Sequence, residues 1–337
     1  MVVSTTNMQN ELFSTAVANA SSANLKAGFD HLAVELEGLE QPLQNKVMVR
    51  LSGKPKEITV QESFDSTVPL RWERNCASRA AVKGVIKKQL PELIEDFGLY
   101  FATETLIPNP AGMGSSGASA AAGMKAGLRL VKKYIRNFAF SPRQQIEAAV
   151  VGETARHYDN VSASVLGGLA EKIGDDFRKH KVPEWYVLLA KPVGVTKGST
   201  AKGRGLLSDD DKEQYEYGKS IVIARRAIVN GLRGGDLIGL AQTMAQFEDP
   251  VERIRAENGF YGAGITARFL GAIYHRLAQD SMAAWVSGAG PYVLAVVGYD
   301  RNRLELAKRI FSQSYEPLGY KPQFIEARLS NQGARNV

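Results

Sequence analysis

The chain has very little cysteine and no long hydrophobic run. Cys76 is the only cysteine among 337 residues, which excludes an internal disulfide framework and cysteine-rich zinc sites and favours a reducing compartment. We expect Cys76 to be a buried structural thiol. No stretch of about 18 apolar residues is present, and the first residues lack the basic and apolar stretches of a secretory signal. The sequence therefore predicts a soluble cytoplasmic protein with no membrane partner.

Long basic segments are also lacking, although the formal net charge is +7. Such a charge suits nucleic acid, an anionic membrane or acidic small molecules. The basic residues are scattered, with short clusters such as those at 87–88, 132–133 and 225–226, and no long basic segment is interleaved with stacking aromatic residues. We therefore expect a phosphorylated or carboxylated small molecule as the partner and no nucleic acid.

The remaining composition is that of an ordinary globular protein, with 44% apolar and 23% charged residues. A chain of this length predicts two domains, at roughly 150 residues each. An apolar stretch at 185–190, between Pro183 and Pro192, is typical of a strand and opens the second half. We expect an N-terminal domain at residues 1–182 and a C-terminal domain at residues 183–337.

Strand and helix patterns are mixed in both halves, which predicts an α+β fold. Runs of β-forming residues predict strands at 47–51, 58–60, 283–286 and 292–297. Apolar residues at three- and four-residue spacing predict helices at 79–89, 117–137, 217–230, 236–247, 264–280 and 301–314. The polar stretch 197–217 is typical of a surface loop that runs into a helix.

The strongest chemical signal is the segment 108–119, Pro-Asn-Pro-Ala-Gly-Met-Gly-Ser-Ser-Gly-Ala-Ser, which we term the phosphate loop. Its small residues let the backbone approach a ligand closely, and the N–H groups of the helix that follows favour an anion. Ser115 and Ser116 can bind phosphate oxygens, and one of them can bind magnesium. The segment matches neither a Walker A loop nor a dinucleotide fingerprint. A Gly/Ser linker with a helix cap is the alternative interpretation.

Two further segments, 20–30 (Ala-Ser-Ser-Ala-Asn-Leu-Lys-Ala-Gly-Phe-Asp) and 285–291 (Trp-Val-Ser-Gly-Ala-Gly-Pro), flank the phosphate loop along the chain. In this order the three segments resemble the signature motifs of the GHMP small-molecule kinases, and within that superfamily those of the homoserine kinases. The blocks 157–161 (His-Tyr-Asp-Asn-Val) and 200–207 (Thr-Ala-Lys-Gly-Arg-Gly-Leu-Leu) are similar to two more segments of the same family.

The chain departs from the homoserine kinase pattern at several positions. Lys26 and Ala27 stand where the family has Gly-Pro, and residues 109–111 replace Leu-Gly-Arg. Position 149, where an acidic residue is usual, is alanine. If four residues have been deleted, Glu153 resembles the family's magnesium carboxylate; the alternative is a solvated helix acid. The family's second carboxylate-binding arginine corresponds to Arg253 or Arg255, and we choose Arg253.

The resemblance implies a two-domain GHMP fold with a ferredoxin-like C-terminal domain, ATP over the phosphate loop and Mg²⁺ beside it. It implies catalytic roles for Ser115, Ser116 and Asp159, and magnesium ligands at Ser115 and Glu153. The implied nucleotide-binding residues are Asn75, Pro108, Gly112, Gly114, Ser115, Ser116, Gly117 and Ser119. The implied acceptor-binding residues are Asn24, Lys26, Asp30, His157, Asp159, Asn160, Arg204, Arg253, Gly288 and Gly290. Asn75 can alternatively cap a helix, and no general base is evident.

The implied reaction is transfer of the γ-phosphoryl group of ATP to a hydroxyl of a small anionic metabolite. Homoserine is the first candidate acceptor. A phosphorylated mevalonate, such as mevalonate 3-phosphate, is the second, because Lys26, Lys202, Arg253 and Arg255 offer extra cations. A non-catalytic GHMP-fold regulator is the third, although the intact phosphate loop argues against it. The oligomeric state stays open, a homodimer included.

Overall fold

The computed structural model describes residues 13–61, 68–108, 111–153, 158–195 and 200–337. Its strands form one large sheet in the order β4-β5-β3-β1-β2-β11-β8-β10-β9, with β6 also paired to β2, β7 to β6 and β12 to β1. The strands are β1 Phe13–Asn24, β2 Gly28–Gly38, β3 Gln44–Leu51, β4 Ile58–Val60, β5 Leu99–Thr105, β6 Leu169–Ile173, β7 Asp176–His180, β8 Tyr186–Pro192, β9 Ala283–Val286, β10 Val293–Gly298, β11 Pro322–Leu329 and β12 Arg335–Asn336.

The helices cover this sheet. They are α1 Cys76–Arg79, α2 Lys87–Gln89, α3 Glu92–Glu95, α4 Ser115–Lys132, α5 Pro142–Val150, α6 Tyr158–Leu166, α7 Thr200–Gly205, α8 Asp209–Tyr217, α9 Lys219–Gly234, α10 Leu237–Gln246, α11 Pro250–Glu257, α12 Ala267–Gln279 and α13 Arg303–Tyr315. A π-helical segment, Ala80–Ile86, joins α1 to α2, and a 3-10 turn, Glu316–Leu318, follows α13. Within the part of the chain that the structure describes, no helix is both long and apolar enough to span a membrane.

Helix α4, which follows the phosphate loop, lies at the centre of the N-terminal core. Its small residues allow close packing: a Cβ at Gly123 would lie 2.2 Å from the carbonyl oxygen of Ala77, and one at Gly127 would lie 3.1 Å from the Cα of Ala81. Most of α4 is buried. A helix held this tightly fixes its own N-terminus, and therefore the phosphate loop, in space.

A second cluster of buried apolar side chains lies between α12, α13 and strands β8, β9 and β10. The chain end then returns toward the first half, because β11 pairs with both β8 and β2, and β12 pairs with β1. The strands of the two halves are therefore continuous across the β2–β11 pair. The domain boundary at 182/183 stays a prediction.

All five predicted strands are present, and the predicted helices occur with ends shifted by a few residues. The prediction of a surface loop at 197–217 is wrong, because α7 and α8 occupy most of that stretch. The described residues of α8 are polar except for Tyr215, which is buried in the core. The start of the helix is fixed by Ser208, whose Oγ accepts a hydrogen bond from the N–H of Asp211 at 3.1 Å. A capped polar helix carries no apolar periodicity, so the pattern missed it.

Candidate active site

The first motif forms the tight turn of the β1–β2 hairpin. Asn24, Leu25 and Lys26 have φ values of 76°, 39° and 63°, and Asp30 has a φ of 59°. Residues other than glycine rarely adopt this left-handed conformation, and such strain concentrates at functional sites. The turn is held by Asn24, whose Nδ2 donates to the carbonyl oxygen of Gly288 at 2.5 Å.

The three glycine-containing motifs interlock through hydrogen bonds. The N–H of Ser21 donates to the carbonyl of Met113 at 3.1 Å, and the N–H of Gly288 donates to the carbonyl of Ala23 at 3.1 Å. The hydroxyl of Ser287 donates to the carbonyl of Gly112 at 2.9 Å. Segments more than 80 residues apart along the chain therefore build one site, as the resemblance implies.

Gly112 and Gly114 are required by the geometry of the phosphate loop. Their φ values are +71° and +66°. A Cβ at Gly112 would lie 2.2 Å from the carbonyl oxygen of Ser287, and one at Gly114 would lie 2.4 Å from the Oγ of Ser21. The glycines therefore allow both the left-handed turn and the close approach of the neighbouring motifs.

The phosphate loop ends at the N-terminus of α4. Gly114 is the N-cap, and no side chain caps the helix. The first backbone N–H groups of a helix have no partner within it, so those of Ser115, Ser116 and Gly117 suit an anionic ligand. The hydroxyl of Ser115 lies on this first turn, and that of Ser119 lies one turn further along the same face of α4. The arrangement can hold a phosphate chain.

Asn45 on β3 was missed from the sequence, although it organises this turn. Its Nδ2 donates to the Ser115 carbonyl at 2.8 Å, the Ser119 Oγ at 2.8 Å and the Ser115 Oγ at 3.3 Å. The hydroxyl oxygen of Ser115 accepts from Asn45, so the hydroxyl proton of Ser115 remains to be donated. The signal was a polar residue at an inward strand position, since Asn45 shares a buried face with Val47 and Val49.

Glu153 is buried, with 6% of its surface exposed, so it is not a solvated helix acid. The hydroxyl of Ser116 hydrogen-bonds to it. Burial, together with the nearby charge of Asp159, raises the pKa of Glu153 to about 7. Asp159 lies in the first turn of α6 and is itself buried, accepting the Asn160 N–H at 2.7 Å. Two buried carboxylates beside a phosphate-binding loop suit a divalent cation.

The described side chains alone do not form a complete metal site. Within the described residues, no group of three or more His, Cys, Asp or Glu side chains is arranged to hold a metal. Magnesium commonly takes one or two carboxylates and completes its shell with water and substrate phosphates.

The half-buried Cys76 lies near Glu153. Burial and the charge of Glu153 raise the pKa of the Cys76 thiol to about 12, so the thiol is protonated at neutral pH.

The structure brings Arg255, and not Arg253, to the third motif. Arg253 is exposed, whereas Arg255 is 2% exposed. The Nη1 of Arg255 donates to the Gly288 carbonyl at 3.4 Å, and its Cζ lies 5.5 Å from the ring centre of Phe29. Its Nε is buried and has no hydrogen-bond partner among the described residues. A buried guanidinium with a donor to spare suits an anionic group.

Lys26 is neither a free cation nor a solvated surface charge. Its Nζ lies 3.3 Å from the Glu252 Oε1 and 3.7 Å above the ring of Tyr274, and the side chain is 3% exposed. Tyr274 donates its hydroxyl to the other Glu252 oxygen at 2.8 Å. Burial and the Glu252 charge raise the pKa of the neighbouring Asp249. The ammonium group is thus already neutralised within the protein.

The other predicted residues are placed as follows. Asn75 caps α1, accepting the Ser78 N–H at 3.0 Å, which is the alternative that the sequence left open. Asn160 accepts the Ser21 hydroxyl at 3.0 Å through its Oδ1. A Cβ at Gly117 would lie 3.3 Å from Asn160, and one at Gly290 would lie 2.8 Å from the Tyr261 ring. Pro108 is exposed. His157 and the side chain of Arg204 lie outside the described residues.

Comparison with known proteins decides the family. The model of the GHMP kinases N terminal domain matches residues 77–168. A protein of Thermoplasma acidophilum named homoserine kinase is 31% identical over 334 residues, which cover 94% of each chain. The chain belongs to the GHMP kinase family. The family predicted from the three motifs is therefore confirmed.

Solved structures agree with the GHMP kinase fold. The crystal structure of a homoserine kinase from Cytophaga hutchinsonii superposes with a TM-score of 0.75, covering 100% of both chains at 20% identity. A mevalonate-3-kinase from Thermoplasma acidophilum superposes with a TM-score of 0.64, covering 97% of this chain and 98% of that one at 14% identity. The predicted two-domain α+β GHMP fold is confirmed.

Replacing Gly112 by Ala should destabilise this GHMP kinase by about 2–4 kcal/mol, because the new Cβ is strained by the positive φ and meets the Ser287 carbonyl. Gly53→Ala is the matched control: its φ is +74°, yet no described atom lies within 4 Å of the added Cβ. We expect the control to lose only about 1 kcal/mol. Urea denaturation measures both, and equal losses would show that the close approach to Ser287 is unimportant.

Proposed function

We propose that this protein is a homoserine kinase, which transfers the γ-phosphoryl group of ATP to the side-chain hydroxyl of homoserine. The proposal rests on one observation. Hydrogen bonds connect the phosphate loop to the hairpin turn and to the third motif, and the buried carboxylate of Glu153 lies beside the phosphate loop. The relative at 31% identity, named homoserine kinase, supports the same acceptor.

ATP binding follows from the N-terminus of α4. The N–H groups of Ser115, Ser116 and Gly117 and the hydroxyl of Ser115 bind the phosphate chain, with Asn45 fixing the rotamer of Ser115. Phosphoryl transfer needs positioning and charge neutralisation more than covalent chemistry, and preorganised amides supply both. Helix α1, which Asn75 caps, and the π-helical segment that follows it pack against the same helix, α4.

The buried carboxylate of Glu153 fits a magnesium ion, since burial without a cation raises its pKa to about 7. Glu153 and Ser115 would hold the ion, which when bound neutralises charge on the phosphates. Ser116 holds the carboxylate of Glu153 through its hydroxyl. Asp159, at the start of α6, accepts a hydrogen bond from the acceptor hydroxyl and orients it toward the phosphate.

On the acceptor side, the buried guanidinium of Arg255 keeps its Nε without a hydrogen-bond partner among the described residues. Homoserine has a single carboxylate, which the spare Nε of Arg255 can bind together with Arg204, and it has an ammonium group, which suits Asp30 and the carbonyl oxygens of the strained turn. A mevalonate phosphate needs further cations. Lys26, which the sequence offered for that purpose, is already neutralised by Glu252, so homoserine is the better match.

A coupled assay of ADP release tests the proposal with L-homoserine, mevalonate, mevalonate 3-phosphate and no acceptor. We expect magnesium-dependent turnover with homoserine at roughly 1–100 per second, a usual range for kinases, and phosphohomoserine as the product by mass spectrometry. Preferred turnover of mevalonate 3-phosphate would overturn the acceptor assignment. Tight ATP binding without turnover of any acceptor would instead favour the regulator that the sequence left open.

A further inference from the structure

A cavity of about 640 Å³ lies between the β6–β7 hairpin, the beginning of β2 and helix α9. We name it the basic cavity, because its lining includes five cationic side chains. They are Lys172, Arg178, Arg225, Arg226 and Arg233. Among the lining residues that the structure describes, Glu171 is the one carboxylate, and its Oε2 lies 2.8 Å from the His180 Nε2. The cavity is therefore strongly positive.

The sequence of α9 builds one wall of this cavity. Positions 222, 225, 226, 229, 230 and 233 line it, and their spacing of three and four residues places them on one face of the helix. Val222 and Val229 make part of that face apolar, and the three arginines lie beside them. Lys172 and Arg178 face them from the hairpin. The pair Arg225–Arg226, noted in the sequence as a short basic cluster, thus belongs to a larger surface.

Three of the five cations of the basic cavity have no carboxylate nearby in the described part of the protein. No carboxylate there lies within 4 Å of the cationic groups of Arg178, Arg226 or Arg233, although ion pairs of that length occur elsewhere on the surface. Like charges gathered in one concavity repel one another and focus a positive potential, which attracts anions. This favours a ligand that carries several negative charges.

The basic cavity is separate from the candidate active site. No described residue of the phosphate loop lines it, nor do Asn24, Glu153, Asp159 or Arg255. One contact links the two: the Nε of Arg225 donates to the carbonyl of Ala27, in the hairpin turn, at 2.9 Å, and its Nη2 donates to the carbonyl of Tyr215 at 3.2 Å. Arg225 thus supports the fold as well as lining the cavity.

We propose that the basic cavity is a second ligand site, which binds a small molecule carrying two or more phosphate groups. Phosphate packs the most negative charge into a given volume, and arginine forks bind it bidentately. The volume lies within the range of small-molecule sites and is too small for a nucleic-acid duplex, whose grooves and backbones need a broad surface. The site is independent of which acceptor the kinase phosphorylates.

Titration calorimetry with tripolyphosphate tests the proposal on the full chain, saturated with MgADP so that the phosphate loop is already filled. We expect one further molecule to bind with a dissociation constant of roughly 10 µM at low salt. The double variant Arg226→Gln/Arg233→Gln should weaken this binding by about tenfold or more, and Arg178→Gln, on the opposite wall, by several-fold. Arg225 is left intact because it holds the hairpin turn.

Arg309→Gln is the matched control for Arg178→Gln, since it also removes one positive charge, from an exposed position on α13 outside the cavity lining. It should leave tripolyphosphate binding within about twofold. The variants should also keep the melting temperature and the ATP KM of the parent protein. Equal binding by the parent and the double variant, an equal loss in Arg309→Gln, or a cavity that retains an oligonucleotide but no tripolyphosphate would overturn the proposal.

Discussion

Glu153→Gln should lower kcat by about 10²-fold or more while the fold remains intact, because a neutral amide cannot replace the carboxylate that we assign to magnesium. The apparent affinity for Mg²⁺ should fall with it, whereas binding of ATP without metal should change little. Kinetic titrations with Mg²⁺ at saturating ATP and acceptor measure this. Unchanged metal dependence in Glu153→Gln would contradict the assignment.

The same variant should make the metal-free protein more stable above neutral pH. Below the ordinary pKa of 4.5 the Glu153 carboxyl is protonated in both the folded and the unfolded chain. As pH rises through the folded pKa of about 7, the buried carboxyl must ionise, and stability present at low pH is lost. A pKa raised this far lowers the free energy of unfolding by about 3 kcal/mol. Glutamine does not ionise, so the variant avoids this loss.

Urea denaturation at pH 5 and pH 8 without nucleotide or metal separates these effects. We expect the stability advantage of Glu153→Gln to be small at pH 5 and to reach a few kcal/mol at pH 8. Glu147→Gln, at an exposed position of α5, is the matched control and should show neither the advantage nor the loss of kcat. A merely structural glutamate would give a variant that is less stable at both pH values.

The parts of the site that the sequence predicted are those encoded locally. In the phosphate loop, glycine at 112 and 114 sets the left-handed turn, and the serines follow directly at the start of a helix. The relation of this loop to the first and third motifs was available only through the family resemblance. Nothing in the composition of segments 20–30 or 285–291 shows that they meet.

The parts that the sequence could not predict depend on packing between distant elements. Arg253 and Arg255 are two positions apart on α11, so they point in directions about 160° apart. The side of α11 that faces the third motif therefore determines which of them reaches it. Whether Lys26 is free to bind an anionic ligand depends on Glu252, which neutralises it and is 226 positions away along the chain. Likewise, the burial of Glu153 follows from its neighbours and not from the local sequence.

Arg255→Lys should raise the homoserine KM by about 10- to 100-fold and leave the ATP KM within about twofold. The expected size is that of a charge-assisted hydrogen bond between a guanidinium and a carboxylate. Lysine keeps the charge but lacks the planar fork, so it cannot bind the carboxylate and the Gly288 carbonyl together. Arg253→Lys, two positions away on the exposed side of α11, is the matched control and should leave both KM values unchanged.

A second acceptor separates carboxylate binding from a structural role for Arg255. Homoserinol replaces the carboxylate of homoserine by an uncharged alcohol, so the parent enzyme should already bind it weakly. If Arg255 binds the carboxylate, Arg255→Lys should raise the KM for homoserinol far less than that for homoserine, because the lost contact is absent from the analogue. If Arg255 only supports the third motif through Gly288, Arg255→Lys should raise the KM values of both acceptors by the same factor. The assignment of Arg255 to the carboxylate would then be wrong.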